Sequence, residues 1–205
     1  KPGDPNTVYA VAGSDFYKST NNGVSFTKIT PGLTPGQRGA IAVTAANPNY
    51  VYFLQSAGNS GFKGLYRSTN SGTDFTTRST TPNILDWSCD GSGSGGQGWY
   101  DLSLAADPLN AEVIYVGGVD VWKSTNGGTT WTINSHWYGG CDVPAVHADC
   151  HILTYSPVNG KLYAGNDGGV YSTPDGGITW TDHTEGMTIG QIYKLGTSQT
   201  IREKT

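Results

Sequence analysis

The chain has 205 residues, a formal net charge of −4 and only 12 Lys and Arg, which are scattered. Nucleic acid and anionic membrane surfaces need clustered basic residues, so neither is an expected partner. No apolar run approaches the roughly 20 residues of a membrane-spanning helix; 30 glycines among many Thr, Ser, Asn and aromatic residues point instead to an all-β chain with many tight turns.

In chain order, each of four segments opens at a Pro-containing turn: Asp4-Pro-Asn, Asn47-Pro-Asn, Asp107-Pro-Leu-Asn and Ser156-Pro-Val-Asn. A β-branched and aromatic run follows each turn, at Val8-Tyr-Ala-Val, Val51-Tyr-Phe-Leu, Val113-Ile-Tyr-Val and Lys161-Leu-Tyr-Ala, and reads as a strand. A second strand leads into a repeated turn, and a third leaves it. The remaining strand precedes each Pro turn, as in Ala40-Ile-Ala-Val-Thr, Tyr100-Asp-Leu-Ser-Leu, Asp149-Cys-His-Ile-Leu-Thr and Gln191-Ile-Tyr-Lys-Leu.

The repeated turn sets the period. Its copies are Ser19-Thr-Asn21-Asn-Gly23-Val-Ser-Phe26, Ser68-Thr-Asn70-Ser-Gly72-Thr-Asp-Phe75, Ser124-Thr-Asn126-Gly-Gly128-Thr-Thr-Trp131 and Thr173-Pro-Asp175-Gly-Gly177-Ile-Thr-Trp180. The closing aromatics are 49, 56 and 49 residues apart (26 to 75, 75 to 131, 131 to 180). An Asn or Asp that bonds its own backbone, followed by a Gly free to adopt positive φ, specifies a turn. The aromatic is expected to pack into the seam between units. Four strands in about fifty residues is the size of a propeller blade. The expected fold is therefore a β-propeller of four-stranded antiparallel blades in one domain, with about four blades present. The blades fall near 1–35, 36–82, 83–135 and 136–187, with a further inner strand at 188–200. A slice of a larger propeller is favoured over a closed four-blade ring. No signal peptide begins the chain, and Lys1 is expected to follow a processing boundary.

Strand alternation puts the repeated turns and the Pro turns on one face, and all the irregular loops on the other. Long ordered loops on a rigid scaffold are where binding residues usually sit. Two such loops, from about Thr80 to Gly98 and from about Asn134 to Val146, emerge from adjacent blades. They bring together Trp87, Trp99, Tyr100, Trp137 and Tyr138, which either bind flat sugar rings or cover the core. They also make a Cys89–Cys141 disulfide sterically reasonable in an oxidising compartment; three reduced thiols are the alternative, with Cys150 a small buried residue. The three cysteines are not spaced like a zinc site.

His147-Ala-Asp149-Cys-His151 enters a strand, where alternate residues share a side. His147, Asp149 and His151 are candidate ligands of a transition metal or a general-base set; the competing reading is hydrogen bonding between blades. Asp101 and Asp149 are the candidate catalytic carboxyls. Asp15, Asp90, Asp120, Asp142 and Asp167 add carboxylates on the same face, where Ca²⁺ is the alternative to the expected absence of any cofactor.

The four turns closely resemble the Asp-box, or bacterial neuraminidase repeat. Gly95-Gly-Gln-Gly-Trp-Tyr-Asp-Leu, the run from Tyr115 through Trp131, Val146-His-Ala-Asp and Gly165-Asn-Asp-Gly-Gly-Val-Tyr are similar to the large secreted Asp-box propeller proteins of Bacteroidota, many of which use type IX secretion. More remotely the blades resemble those of sortilin-type propellers and xyloglucan-degrading hydrolases. The resemblance implies a secreted or cell-surface protein. Sialidases with such repeats use an arginine cluster, whereas this chain has only Arg38, Arg67, Arg78 and Arg202, so sialidase activity is not expected. The leading expectation is a module that binds a glycan or a surface protein. Glycoside hydrolysis through Asp101 or Asp149 is the alternative, and a structural part in a surface layer or filament, completed by further blades or copies, is the second.

Overall fold

A computed structural model describes residues 1–187. Fifteen strands and no helix lie among them, so no helix there is long and apolar enough to cross a membrane. The first sheet has three strands, β1 (Val8–Ala12), β2 (Asp15–Ser19) and β3 (Thr27–Ile29), paired in that order. The second is the meander β4 (Gly39–Val43), β5 (Val51–Ser56), β6 (Phe62–Ser68) and β7 (Thr76–Ser79). The third runs β8 (Ser103–Ala106), β9 (Ile114–Gly117), β10 (Val121–Ser124) and β11 (Thr132–Ser135), and the fourth β12 (Cys150–Tyr155), β13 (Leu162–Asn166), β14 (Gly169–Thr173) and β15 (Thr181–Asp182). All pairings between these strands are antiparallel. β4, β8 and β12 approach one another, with β1 against β4, so the opening strands lie innermost and the sheets are blades of a β-propeller. Among the described residues the first sheet shows no strand before its Pro turn; the inner strand expected at Gln191-Ile-Tyr-Lys-Leu, and Arg202, lie outside the described residues.

Apolar residues from facing blades fill each seam. Phe16 meets Phe53 and Phe75 in the first; Tyr52, Leu54 and Leu65 meet Leu104, Ile114 and Trp122 in the second; Tyr115 and Val121 meet Leu153 and Leu162 in the third. Each such fully buried side chain contributes about 1.5–3 kcal/mol.

The four turns share one hydrogen-bond scheme. The hydroxyl of Ser19, Ser68, Ser124 or Thr173 donates to the Asn or Asp two residues on, at 2.8, 2.8, 3.0 and 2.9 Å. The same oxygen accepts the N–H of Gly23, Gly72, Gly128 or Gly177, at 3.0, 2.8, 2.8 and 2.8 Å. Gly128 is required twice over: its φ is +82°, and a Cβ there would stand 1.9 Å from Leu65 Cδ2. The seam role expected of the closing aromatics holds for Phe75 and Trp131, 4% and 9% exposed, and Trp131 Nε1 donates to Ser79 Oγ of the preceding blade at 2.9 Å. Phe26 departs from it at 42% exposed, because no described blade lies on that side of the first sheet.

Each seam is also clasped forward by a cation. Lys18 Nζ donates to Thr73 Oγ1 at 3.2 Å, Arg78 Nε to the Gly127 carbonyl at 2.9 Å, and Lys123 Nζ to the Gly176 carbonyl at 2.9 Å. The repeated turns bond the Pro turns beside them, through Asn22 N–H to Asn6 O, Ser71 N–H to Asn49 O and Gly127 N–H to Glu112 O. The long loops therefore occupy the opposite face.

Candidate functional site

On the loop face, the turn from Gln97 to Asp101 is closed by the Tyr100 and Asp101 amides on the Gln97 carbonyl, at 2.7 and 3.0 Å. Arg38 Nη1 reaches across from the second blade to the carbonyls of Trp99 and Tyr100, at 3.1 and 2.7 Å. This leaves Trp99 61% exposed and drives Asp101 to 1% exposed. Neither Asp101 carboxyl oxygen meets a hydrogen-bond donor. An ionised carboxylate left bare in this way is costly. Burial, and then the charge of Asp149, push the Asp101 carboxyl up to about 8, so it holds its proton at neutral pH beside Asp149.

Asp149 is the half-buried, outer member of this pair. Its φ of +65° turns the chain just before β12, and Gln97 Nε2 faces its Oδ1 at 3.4 Å. Next to it Asp167 has the opposite environment. It accepts from the Tyr100 hydroxyl at 2.9 Å and meets His151 Nε2 at 2.7 Å, while the Tyr100 and His151 rings stand edge to face at 4.8 Å. Burial opposes ionisation of Asp167, but these bonds prevail and hold it below the usual carboxylate range. The Tyr100 hydroxyl is raised, chiefly by Asp167, with Asp149 and Asp101 adding to the effect. Proton-holding and ionised carboxyls thus lie within reach of one tyrosine.

A second cluster joins the two long loops. Cys89 and Cys141 are disulfide-bonded with Cα atoms 5.5 Å apart, and Cys150 is free and buried. Trp137 and Tyr138 pack edge to face at 4.6 Å over His136 and remain 47% and 65% exposed. Trp87, 57% exposed, stands two residues before Cys89. The five aromatics expected on this face are all at its surface. They form two groups, with no ring contact between Trp99–Tyr100 and Trp137–Tyr138 among the described residues.

Neither set of candidate metal ligands is brought together as a ligand cluster. Strand alternation was to align His147, Asp149 and His151, but β12 starts only at Cys150 and the positive φ of Asp149 breaks the alternation. His147 packs against Gly168, His151 bonds Asp167, and the three make no ligand set. The acidic residues proposed for Ca²⁺ also fail to converge: Asp15 pairs with Lys28 at 2.6 Å, Asp120 is buried beneath Trp137, and Asp167 is taken by His151. Arg67 is committed to Glu112 at 2.8 Å and Arg78 to the next blade's turn, so with Arg38 they form no arginine cluster.

Sequence reasoning passed over Gln97, His136 and Asp86. Asp86 is 2% exposed and takes the Ser88 amide and hydroxyl at 2.6 and 2.7 Å, knotting the first long loop. An Asp two residues before a Ser was a visible turn signal. The Gln97 side chain meets Asp149 from far along the chain, and the contacts of His136 with Trp137, Tyr138 and Gly140 follow from a loop shape that no residue pattern marks.

Radial four-stranded blades bearing a polar, aromatic-rimmed loop face define a β-propeller with its candidate site in the long loops. No protein-family model matches the chain. It is 28% identical over 227 residues to a xyloglucanase of Paenibacillus sp., an alignment that covers 96% of this chain and 20% of that protein. A second xyloglucanase, from Hypocrea jecorina, is 29% identical over 221 residues, covering 89% of this chain and 25% of its own length. The chain thus spans a fifth to a quarter of these relatives. Among solved structures, the GH74 xyloglucanase of Xanthomonas campestris superposes with a TM-score of 0.63 at 21% identity, over 88% of this chain and 29% of the enzyme. At that identity the likeness establishes the fold alone.

Proposed function

We propose that this chain is a segment of an exported Asp-box propeller that acts on polysaccharide as a glycoside hydrolase. Support comes from the carboxyl pair Asp101–Asp149 beside the exposed Trp99 and Tyr100, together with the similarity to xyloglucanases. Asp149 is the member that reaches solvent and contacts substrate. Asp101, behind it, is a positioning residue that keeps its proton. Asp101 is closed off from solvent, so it cannot flank a glycosidic bond opposite Asp149, which needs two carboxyls about 5–9.5 Å apart that both reach the sugar. They therefore count as one group, and the second carboxylate is Asp167 or comes from elsewhere in the protein. Environments that push neighbouring carboxyls apart in acidity are how acid and base roles are divided. The Cys89–Cys141 disulfide supports export to an oxidising compartment.

Xyloglucan, the polymer for which the relatives are named, is the first substrate to try. The parent protein should release reducing ends from it or from another β-glucan, and Asp149→Asn should lower the rate at least about hundredfold. Absence of reducing-end release from any of these polymers defeats the hydrolase reading. Non-catalytic binding is the second reading, favoured by the burial of Asp101 and by aromatics spread over two groups. Retention of the polymer at unchanged length would select it.

A further inference from the structure

The cluster that joins the two long loops has no part in the proposed hydrolysis. Cys89 Sγ, Cys141 Sγ and a ring nitrogen of His136 lie within 4.8 Å of one another, the only such convergence of three His, Cys, Asp or Glu ligand atoms among the described residues. His136 is 2% exposed and fixed on every side. Its ring meets Tyr138 edge to face at 4.3 Å and lies tilted against Trp137 at 6.0 Å. Nδ1 accepts from the Gly140 amide at 3.3 Å, on the side of Cys141. A nitrogen that accepts leaves the ring proton on Nε2, and Nε2 faces Asp120 Oδ2 at 3.9 Å. That oxygen is buried and has no hydrogen-bond donor. The far ring nitrogen thus faces a carboxylate, and Nδ1, on the side of Cys141, holds a lone pair that an ion would take over from the Gly140 amide, the orientation seen in metal-binding histidines.

We propose that, once the Cys89–Cys141 disulfide is reduced, Cys89, Cys141 and His136 bind one thiophilic divalent ion of the zinc class. Asp120 orients His136, and a fourth position stays open to water. The steps balance. An external dithiol gives two electrons and two protons to the S–S bond and becomes a disulfide itself; the ion then displaces one proton from each thiol, releasing two. Zn–S and Zn–N bonds of about 2.3 and 2.0 Å put tetrahedral ligands roughly 3.5 Å apart, so the two sulfurs, joined in the disulfide, must separate while the His136 nitrogen, within 4.8 Å of both, draws nearer. Cys89 is exposed, which opens the disulfide to thiol reagents. The disulfide and the ion are alternative fastenings of the same two loops.

The test uses the protein reduced, freed of reductant and titrated with cobalt(II), whose thiolate complexes are coloured, with zinc(II) as competitor. The expected result is one ion per chain, a sulfur-to-metal charge-transfer band that zinc abolishes, and no such band in the oxidised protein. Cys89→Ser with Cys141→Ser should remove the band. Asp120→Asn should weaken binding about ten- to a hundredfold, and His151→Ala should leave the metal band unchanged. Circular dichroism follows the fold throughout. The proposal is overturned by a reduced chain that takes up no ion, by equal uptake in the oxidised protein, by uptake that survives the double Ser variant or depends on His151, or by a reduced chain whose lost β-structure the ion does not restore.

Discussion

The two faces of the propeller are built by opposite means. On the turn face, each copy of the repeat satisfies itself within four residues, as in the bonds from Ser124 Oγ to Asn126 and from the Gly128 amide back to Ser124. On the loop face, the defining contacts join residues far apart in the chain: 52 for Gln97 and Asp149, 67 for Tyr100 and Asp167, 52 for the disulfide. A local device can be copied four times, whereas a site assembled from three blades is built once. Stability is therefore expected to reside mainly in the turn face, and function in the loop face.

Gly128→Ala should sharpen that contrast most. It places a methyl group against buried Leu65 in a backbone of positive φ, and should cost roughly 3 kcal/mol in urea unfolding, with little change in the loop face. Asp101→Asn tests the contrast from the other side, since it gives a loop-face residue a stability effect. Unfolded, this carboxyl titrates near 3.8, and folded near 8. Between those values the folded chain keeps a proton that the unfolded chain has lost. Its contribution is thus fully present below about pH 4, falls through the window and is level above about pH 8. The wild-type protein should lose about 2 kcal/mol from about pH 5 to about pH 7, a slope that Asp101→Asn flattens and urea midpoints would reveal. Trp99→Ala should have the smallest effect on folding, below about 0.5 kcal/mol, while retention on polysaccharide falls about tenfold. A large loss of stability there would show that Trp99 serves the core.

What was legible in the sequence follows the same division. The Ser-x-Asn-x-Gly turns and the alternating strands were readable because their causes lie within a few residues. So was the pairing of Cys89 with Cys141, once blade order made their loops neighbours. The His147-Asp149-His151 set was misread because period-two alternation was extended past the start of β12, where Asp149 takes positive φ. The proton-holding state of Asp101 was invisible, since it depends on burial and on a carboxylate 48 positions later (101 to 149), against the opposing charge of Arg38 from another blade. His136 carried no signal either, because its sulfur neighbours include one from the preceding blade.

The forward clasps have a consequence for how such a molecule comes to exist. Every joint pairs a cation of one blade with a group on the turn of the next: Lys18 with Thr73, Arg78 with Gly127, Lys123 with Gly176. The second and third blades carry both halves of the joint, one used forward and the other backward. Tandem duplication of a single unit would thus extend the array with its joints ready made, and loss of a unit would bring together ends that already fit. Copy number is then free to drift under selection, while novelty is confined to the loops that no other blade repeats.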